Sequence, residues 1–265
     1  PHHTRPVIES KFCCVAGIWP SQWVRIDDFM PNKTHKASHC SIELTCTIDK
    51  LHHVDREDHA PLVISAFDIE CISAKEEFPN ADEDGDKVVS VAISSWYLNQ
   101  PLSEPTRRWA VIVNGCAPID DAQCVWAADE HELHLLVRDQ FIRLGTDVIA
   151  SWNGNGFDWV YMHDRASELA TRNWQGFFYL SKLKFHKCLF KKKPMASGAR
   201  GDQMLKFYSM PGRCNFDAMQ WYMQNYKRAS YSLDKVCGEH TGEHKVDLSY
   251  KLIKPYFEGT PEQRR

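Results

Sequence analysis

Two carboxylates stand two residues apart in an otherwise apolar run, Leu62-Val-Ile-Ser-Ala-Phe-Asp-Ile-Glu-Cys71. In a β-strand, side chains at i and i+2 share a face, about 6.6 Å apart along the chain. Like charges about 5 Å apart repel by about 3 kcal/mol at an effective dielectric of 20. An apolar strand tolerates Asp68 and Glu70 together if that face is wet, if one group is protonated, or if a cation lies between them. A second stretch, Ser151-Trp-Asn-Gly-Asn-Gly-Phe-Asp-Trp-Val-Tyr161, reads as a strand feeding a tight turn and then a helix. Gly154 and Gly156 are expected to supply positive φ, and Asp158 falls in the first helical turn, where the helix dipole favours a carboxylate. Three such acids at one end of a sheet are hard oxygen ligands of the kind that suit Mg²⁺ or Mn²⁺. Two ions about 4 Å apart would activate a water and stabilise the leaving oxygen in phosphodiester cleavage. A solvated edge strand and a structural helix-start Asp remain the alternatives. Beside the turn, Asn153 either hydrogen-bonds a substrate or forms the turn, and Phe157 either packs on a terminal base or joins the core.

The chain must supply elements that hold these residues, and its composition allows it. Its 265 residues are 43% hydrophobic and 12% aromatic, enough for a sizeable core. A net charge of −3 gives no global nucleic-acid signature, so any basic surface must be local. One candidate is Phe177 to Lys193, where six lysines and no acid alternate with aromatics. That composition suits a single-stranded nucleic-acid groove reaching Lys191, Lys192 and Lys193, and it equally suits lysines on a solvated face. Ten cysteines without a Cys-x-x-Cys pair argue against a zinc ribbon and suggest free thiols in a reducing compartment. No apolar run approaches membrane-spanning length.

Up to about Ala60 the chain is polar and His-rich, with strand-like pieces at Trp23–Ile26 and Cys40–Ile48. From Pro61 strands and helices alternate. Strands are expected at the Asp68 run, at Lys87–Trp96, at Arg108–Val113 and at Asp147–Trp152. Helices are expected from Asp129 to Leu144, from Phe157 to Ala170, and from Ser230 to Glu239. Thr260, Pro261 and Gln263 form the signature of a helix start, with Thr260 as N-cap.

Phe67-Asp-Ile-Glu-Cys71 followed by Phe78-Pro79 resembles the first exonuclease motif of B-family DNA polymerases of the delta type. Asn153-Gly-Asn-Gly-Phe-Asp158, running on to Asp164-Arg165-Ala166, resembles the second. Pro211-Gly-Arg213, Asp217, Tyr226-Lys227, Ser230 to Val236, Gly242-Glu243, Lys245 and Asp247 are similar to the course of the same domain. The insert Ala196 to Asp202 looks most like polymerases of large double-stranded DNA viruses. The resemblance implies an α/β, RNase H-like fold with a mixed central sheet flanked by helices over 61–265, preceded at 1–60 by the end of a β-rich N-terminal domain. It implies 3′→5′ removal of mispaired nucleotides by two metal ions, with Asp68, Glu70 and Asp158 as ligands. The partners it implies are the single-stranded 3′ end of a primer, deoxynucleotides in the full polymerase and a processivity factor, with no membrane. The place of action it implies is intracellular, the nucleus of a cell or, for a virus, the host nucleus or a cytoplasmic viral factory. The family's third motif, Tyr followed four residues later by Asp, is not matched by any Tyr here. The chain is therefore expected to be a fragment cut before that motif and inactive alone. A free-standing exonuclease of the same carboxylate class and a non-catalytic DNA-binding scaffold are the rival readings.

Overall fold

A computed structural model describes residues 8–75, 77–101, 103, 107–170, 176–197, 201–245 and 248–265. The chain divides into two compact units between Ala60 and Pro61. In the first, a helix, α1 (Ile8–Ala16), ends where Gly17 takes a left-handed φ of 64°. Four short strands follow: β1 (Trp23–Ile26), β2 (Met30–Pro31), β3 (Leu44–Thr45) and β4 (Leu51–Val54), pairing β1 with β4 and β2 with β3, both antiparallel. The strand expected over Cys40–Ile48 shrinks to β3. Glu43 is the reason: its carboxylate accepts from the backbone N–H of Ala37 and Ser38 and from the Ser38 hydroxyl, so the preceding chain is knotted into a loop.

The second unit is built on a six-stranded mixed sheet. Its long central pair is β5 (Val63–Ile72) and β6 (Lys87–Tyr97), antiparallel, with Phe67 opposite Ile93 and Asp68 opposite Ala92. Next to β6 runs β7 (Arg107–Val113), antiparallel, and then β8 (Gln123–Ala127), parallel to β7. On the other side of β5 lies β9 (Val148–Ser151), parallel to it. A hairpin, β10 (Leu189–Ser197) and β11 (Gly201–Ser209), stands apart from this sheet, whose far edge is β12 (Cys214–Asp217), parallel to β9.

Helix α2 (Glu130–Leu144) is capped as its sequence dictates: the Asp129 side chain accepts from Glu132 N–H, and Gly145 closes it in the left-handed region. α3 (Asp158–Leu169) follows the turn after β9. Alternation along β5 sorts the two faces: Phe67, Ile69 and Cys71 are buried, Asp68 is exposed and Glu70 half-buried. The buried set packs under α2 and α3, where the Phe67 ring lies 4.4 Å from Trp159 and 6.0 Å from Phe141. Among the described residues three shorter α-helices follow: α4 (Ala218–Asn225), α5 (Leu233–His240) and α6 (Tyr250–Glu258). α6 packs against β5 and tolerates Pro255 near its end. Thr260 and Gln263 exchange the reciprocal capping bonds read from the sequence, Thr260 N–H to Gln263 Oε1 at 2.8 Å and Gln263 N–H to Thr260 Oγ1 at 3.4 Å.

Candidate active site

Asp68 and Glu70 come from one face of β5, and a bulge between Glu70 and Cys71 bends the strand where the pair ends. Asp158 comes from the first residue of α3, and the turn between β9 and α3 brings it against β5. There it is only 4% exposed. Its carboxyl is pushed up to about 7, first by burial and then by the charge of Asp68, with which it shares a hydrogen bond; its own N–H and that of Ile69 pull the other way. Glu70 is raised by burial and by Asp68, and Lys245 offsets part of this. The three acids line one cleft of about 610 Å³.

The turn departs from the expected conformation. Positive φ falls on Asn153, at 64°, and not on Gly154 or Gly156. The glycines are needed for space: a Cβ on Gly154 would collide with the Ser151 side chain, its Cβ included at 2.7 Å, and one on Gly156 would collide with the Asn153 side chain. The Asn153 carbonyl accepts from both Gly156 and Phe157 N–H, at 2.9 Å each. Asn153 is thus a turn-former whose side chain also lines the cleft. Phe157 serves both ways as well, packed partly on the core and facing Phe78 across the cleft at 5.4 Å.

The lysine-rich segment is placed elsewhere. Phe177 and Phe178 are buried core residues, and Lys191 and Lys192 lie exposed on β10, not among the described lining of the cleft. The Lys193 side chain and Asp247 lie outside what is described. Sequence reasoning gave no role to the cleft's cation, Lys245, or to its aromatic walls Trp152, Tyr231 and Tyr250. The Trp152 indole donates to the Tyr231 carbonyl at 3.2 Å, fixing that wall. Trp152 and Tyr231 meet only through tertiary contact across 79 positions, whereas Lys245 and the Ser230–Val236 segment that holds Tyr231 entered the family resemblance without a role.

Residues 8–236 match the family model for the exonuclease domain of DNA polymerase family B. The chain belongs to that family. This exonuclease-domain chain is 30% identical over 261 residues to a DNA polymerase delta catalytic subunit of Dictyostelium discoideum, covering 96% of itself and 23% of the relative. With the same subunit of Drosophila melanogaster it shares 30% over 233 residues, 86% of itself and 21% of the relative. A DNA polymerase of Paramecium bursaria Chlorella virus NY2A is 26% identical over 256 residues, 94% of the chain and 27% of the relative. The exonuclease-domain chain thus spans about a quarter of the length of these relatives.

Exonuclease domains of this family are generally metal-dependent. Among the described residues no three His, Cys, Asp or Glu side chains converge on one point in ligand geometry. The donor chemistry nevertheless fits a hard cation, because the paired Asp68 and Asp158 with Glu70 beside them concentrate carboxylate oxygen in one cleft.

Proposed function

We propose that this chain is the proofreading region of a replicative, delta-type DNA polymerase and removes nucleotides from a primer 3′ end. One observation carries the reading: Asp158 presses on Asp68 inside a cleft walled by aromatic rings, which is what a site built to hold cations beside a nucleic-acid end requires. Asp68, Glu70 and Asp158 would hold two Mg²⁺ or Mn²⁺ ions. Bound there, the ions supply Lewis acidity to the scissile phosphodiester and lower the pKa of the attacking water.

The chain's own residues do the rest. Phe157, Phe78 and Tyr250 form a run of rings, with Phe78 in the middle at 5.4 Å from Phe157 and 6.3 Å from Tyr250, on which an unpaired terminal base stacks. Lys245 offers positive charge to a phosphate and balances Glu70. Of the three carboxylates Asp158 is the buried one, so its charge acts at a lower effective dielectric than that of the exposed Asp68. The wider reading, synthesis from deoxynucleotides with a processivity factor in the nucleus or in a viral factory, belongs to the intact gene product. A viral lineage rests on the insert Ala196 to Asp202 and on the Chlorella virus relative, beside cellular relatives of higher identity. No described helix is long and apolar enough to cross a membrane.

The test is excision of a mispaired 3′ nucleotide by the intact gene product. Replacing Asp68, Glu70 and Asp158 together by Ala is expected to abolish excision and leave single-stranded DNA binding in place. Excision at the wild-type rate in that variant would sink the assignment, and DNA binding without excision in the wild type would make the chain a scaffold.

A further inference from the structure

We propose that Asp217 is a positioning residue for excision, clamping the turn that carries Asn153, Phe157 and Asp158; this rests on the excision reading of the Asp68–Asp158 site. Asp217 is the last residue of β12 and pairs in register with Ser151, the last residue of β9. Its carboxylate therefore sits where β9 ends and the turn begins. One oxygen accepts from Asn153 N–H at 3.2 Å and also from Gln220 N–H at 3.1 Å. The other accepts from Asn155 N–H at 3.0 Å. A residue 6% exposed thus divides its two oxygens among three backbone donors, two of them in the turn.

Asn215, two residues back on the same strand, completes the grip. Its side-chain amide donates to Asn155 Oδ1 at 2.8 Å, and its Oδ1 accepts from the Trp159 indole at 3.1 Å. The turn and the first residues of α3 are tied to β12 at Asn153, Asn155 and Trp159, on either side of Asp158. The left-handed φ of Asn153 is a conformation that a β-carbon disfavours, and Asp217 holds the N–H at that residue. Asp158 is set in place through its neighbours. Displacement of a reacting group by about 1 Å can cost about 100-fold in rate.

The rival role is a plain N-cap of α4, which needs only one oxygen. Asp217→Ser keeps a capping oxygen for Gln220 N–H and cannot serve both turn amides. Asp217→Asn is isosteric but turns an NH₂ toward one of the donors it now accepts from. Both variants are made in the intact gene product beside wild type and Asp158→Asn. Amide hydrogen exchange is followed together with single-turnover excision at varied DNA concentration. Exchange at Asn153 and Asn155 is expected to quicken by about 10-fold or more in Asp217→Ser, with α4 still protected. The maximal excision rate is expected to fall by about 100-fold while the DNA concentration for half-saturation stays within about threefold. Unchanged turn protection with wild-type excision in both variants would overturn the proposal, and so would exchange that quickens only in α4. Wild-type excision by Asp158→Asn would overturn the parent reading instead, while the amide readout would still decide whether Asp217 holds the turn.

Discussion

At the scale of single residues, the decisive feature is a buried acid that binds its proton too well. Asp158, at about 7, lies above its ordinary value of 3.8 because burial and Asp68 both disfavour a second negative charge. Its folded-state proton affinity is raised, so its contribution to stability is fully present below the unfolded value. That contribution is lost as pH rises through about 7. His134 works in the opposite direction: it is buried and its affinity is lowered, so its contribution is present above about 6.5 and is lost as pH falls. Without divalent cations, the wild-type chain is expected to lose up to a few kcal/mol between pH 5 and pH 8 relative to Asp158→Asn, which keeps the trends of the other shifted groups, Glu70, His134, His163 and Asp164. Mg²⁺ should restore stability more at pH 8 than at pH 5, because the cation competes with the proton for the same oxygens. Thermal unfolding across this pH range reads both effects. Identical pH profiles for the two proteins would show that Asp158 does not hold a raised proton.

At the scale of elements, the turn between β9 and α3 is under tighter steric control than its composition suggests. Gly154→Ala drives a Cβ into the side chain of Ser151, a residue with nowhere to go in a buried strand end, and is expected to cost about 1–3 kcal/mol. Gly156→Ala meets the movable end of Asn153, so it should cost little stability and depress excision by displacing that side chain from the cleft. Urea midpoints set beside excision rates separate the two; a Gly154→Ala protein as stable as wild type would show that the turn opens more easily than its contacts imply. This is also where sequence was least able to speak. It yields that a turn must follow β9 and that Asp158 starts a helix, because strand period, glycines and helix pattern are local. It cannot yield that Asn153 takes the left-handed conformation, or that Asp217 and Asn215 hold the turn, because those bonds span 56 to 64 positions. The same division runs through the fold. β5, β6, β7, β9, α2, α3 and α5 carry strong periodicity and stand close to where their residues suggested. β8 and β12 are short strands of mixed polarity, α4 is a helix of two turns, and α6 contains Pro255; each exists by packing more than by propensity.

At the scale of the whole molecule, the exonuclease fold leaves a basic hairpin projecting from an acidic cleft's domain, and strand geometry changes which lysines act together. Lys191 and Lys192 are consecutive in β10, so they lie on opposite faces and cannot form one surface. Register instead places Lys192 directly opposite Lys206 of β11, both exposed. Two positions toward the base on the same face, the Phe190 and Tyr208 rings meet at 4.9 Å, tilted by 35°, and anchor the hairpin in the core. Like charges directly opposite across an antiparallel pair destabilise it, and a phosphate between them reverses that sign. If single-stranded DNA passes over this face, replacing Lys192 and Lys206 by Ala removes about two phosphate contacts. The slope of log affinity against log salt should then shrink by about 1.4, at about 0.7 per contact. Hairpin stability should rise slightly in the same variant, since a repulsive pair has gone. Lys191→Ala, on the opposite face, should leave the slope unchanged. DNA titrations at several salt concentrations decide among these. A slope that responds to Lys191 and not to the Lys192–Lys206 pair would put DNA on the other face of the hairpin, and one that responds to neither would leave these lysines as solvated charge.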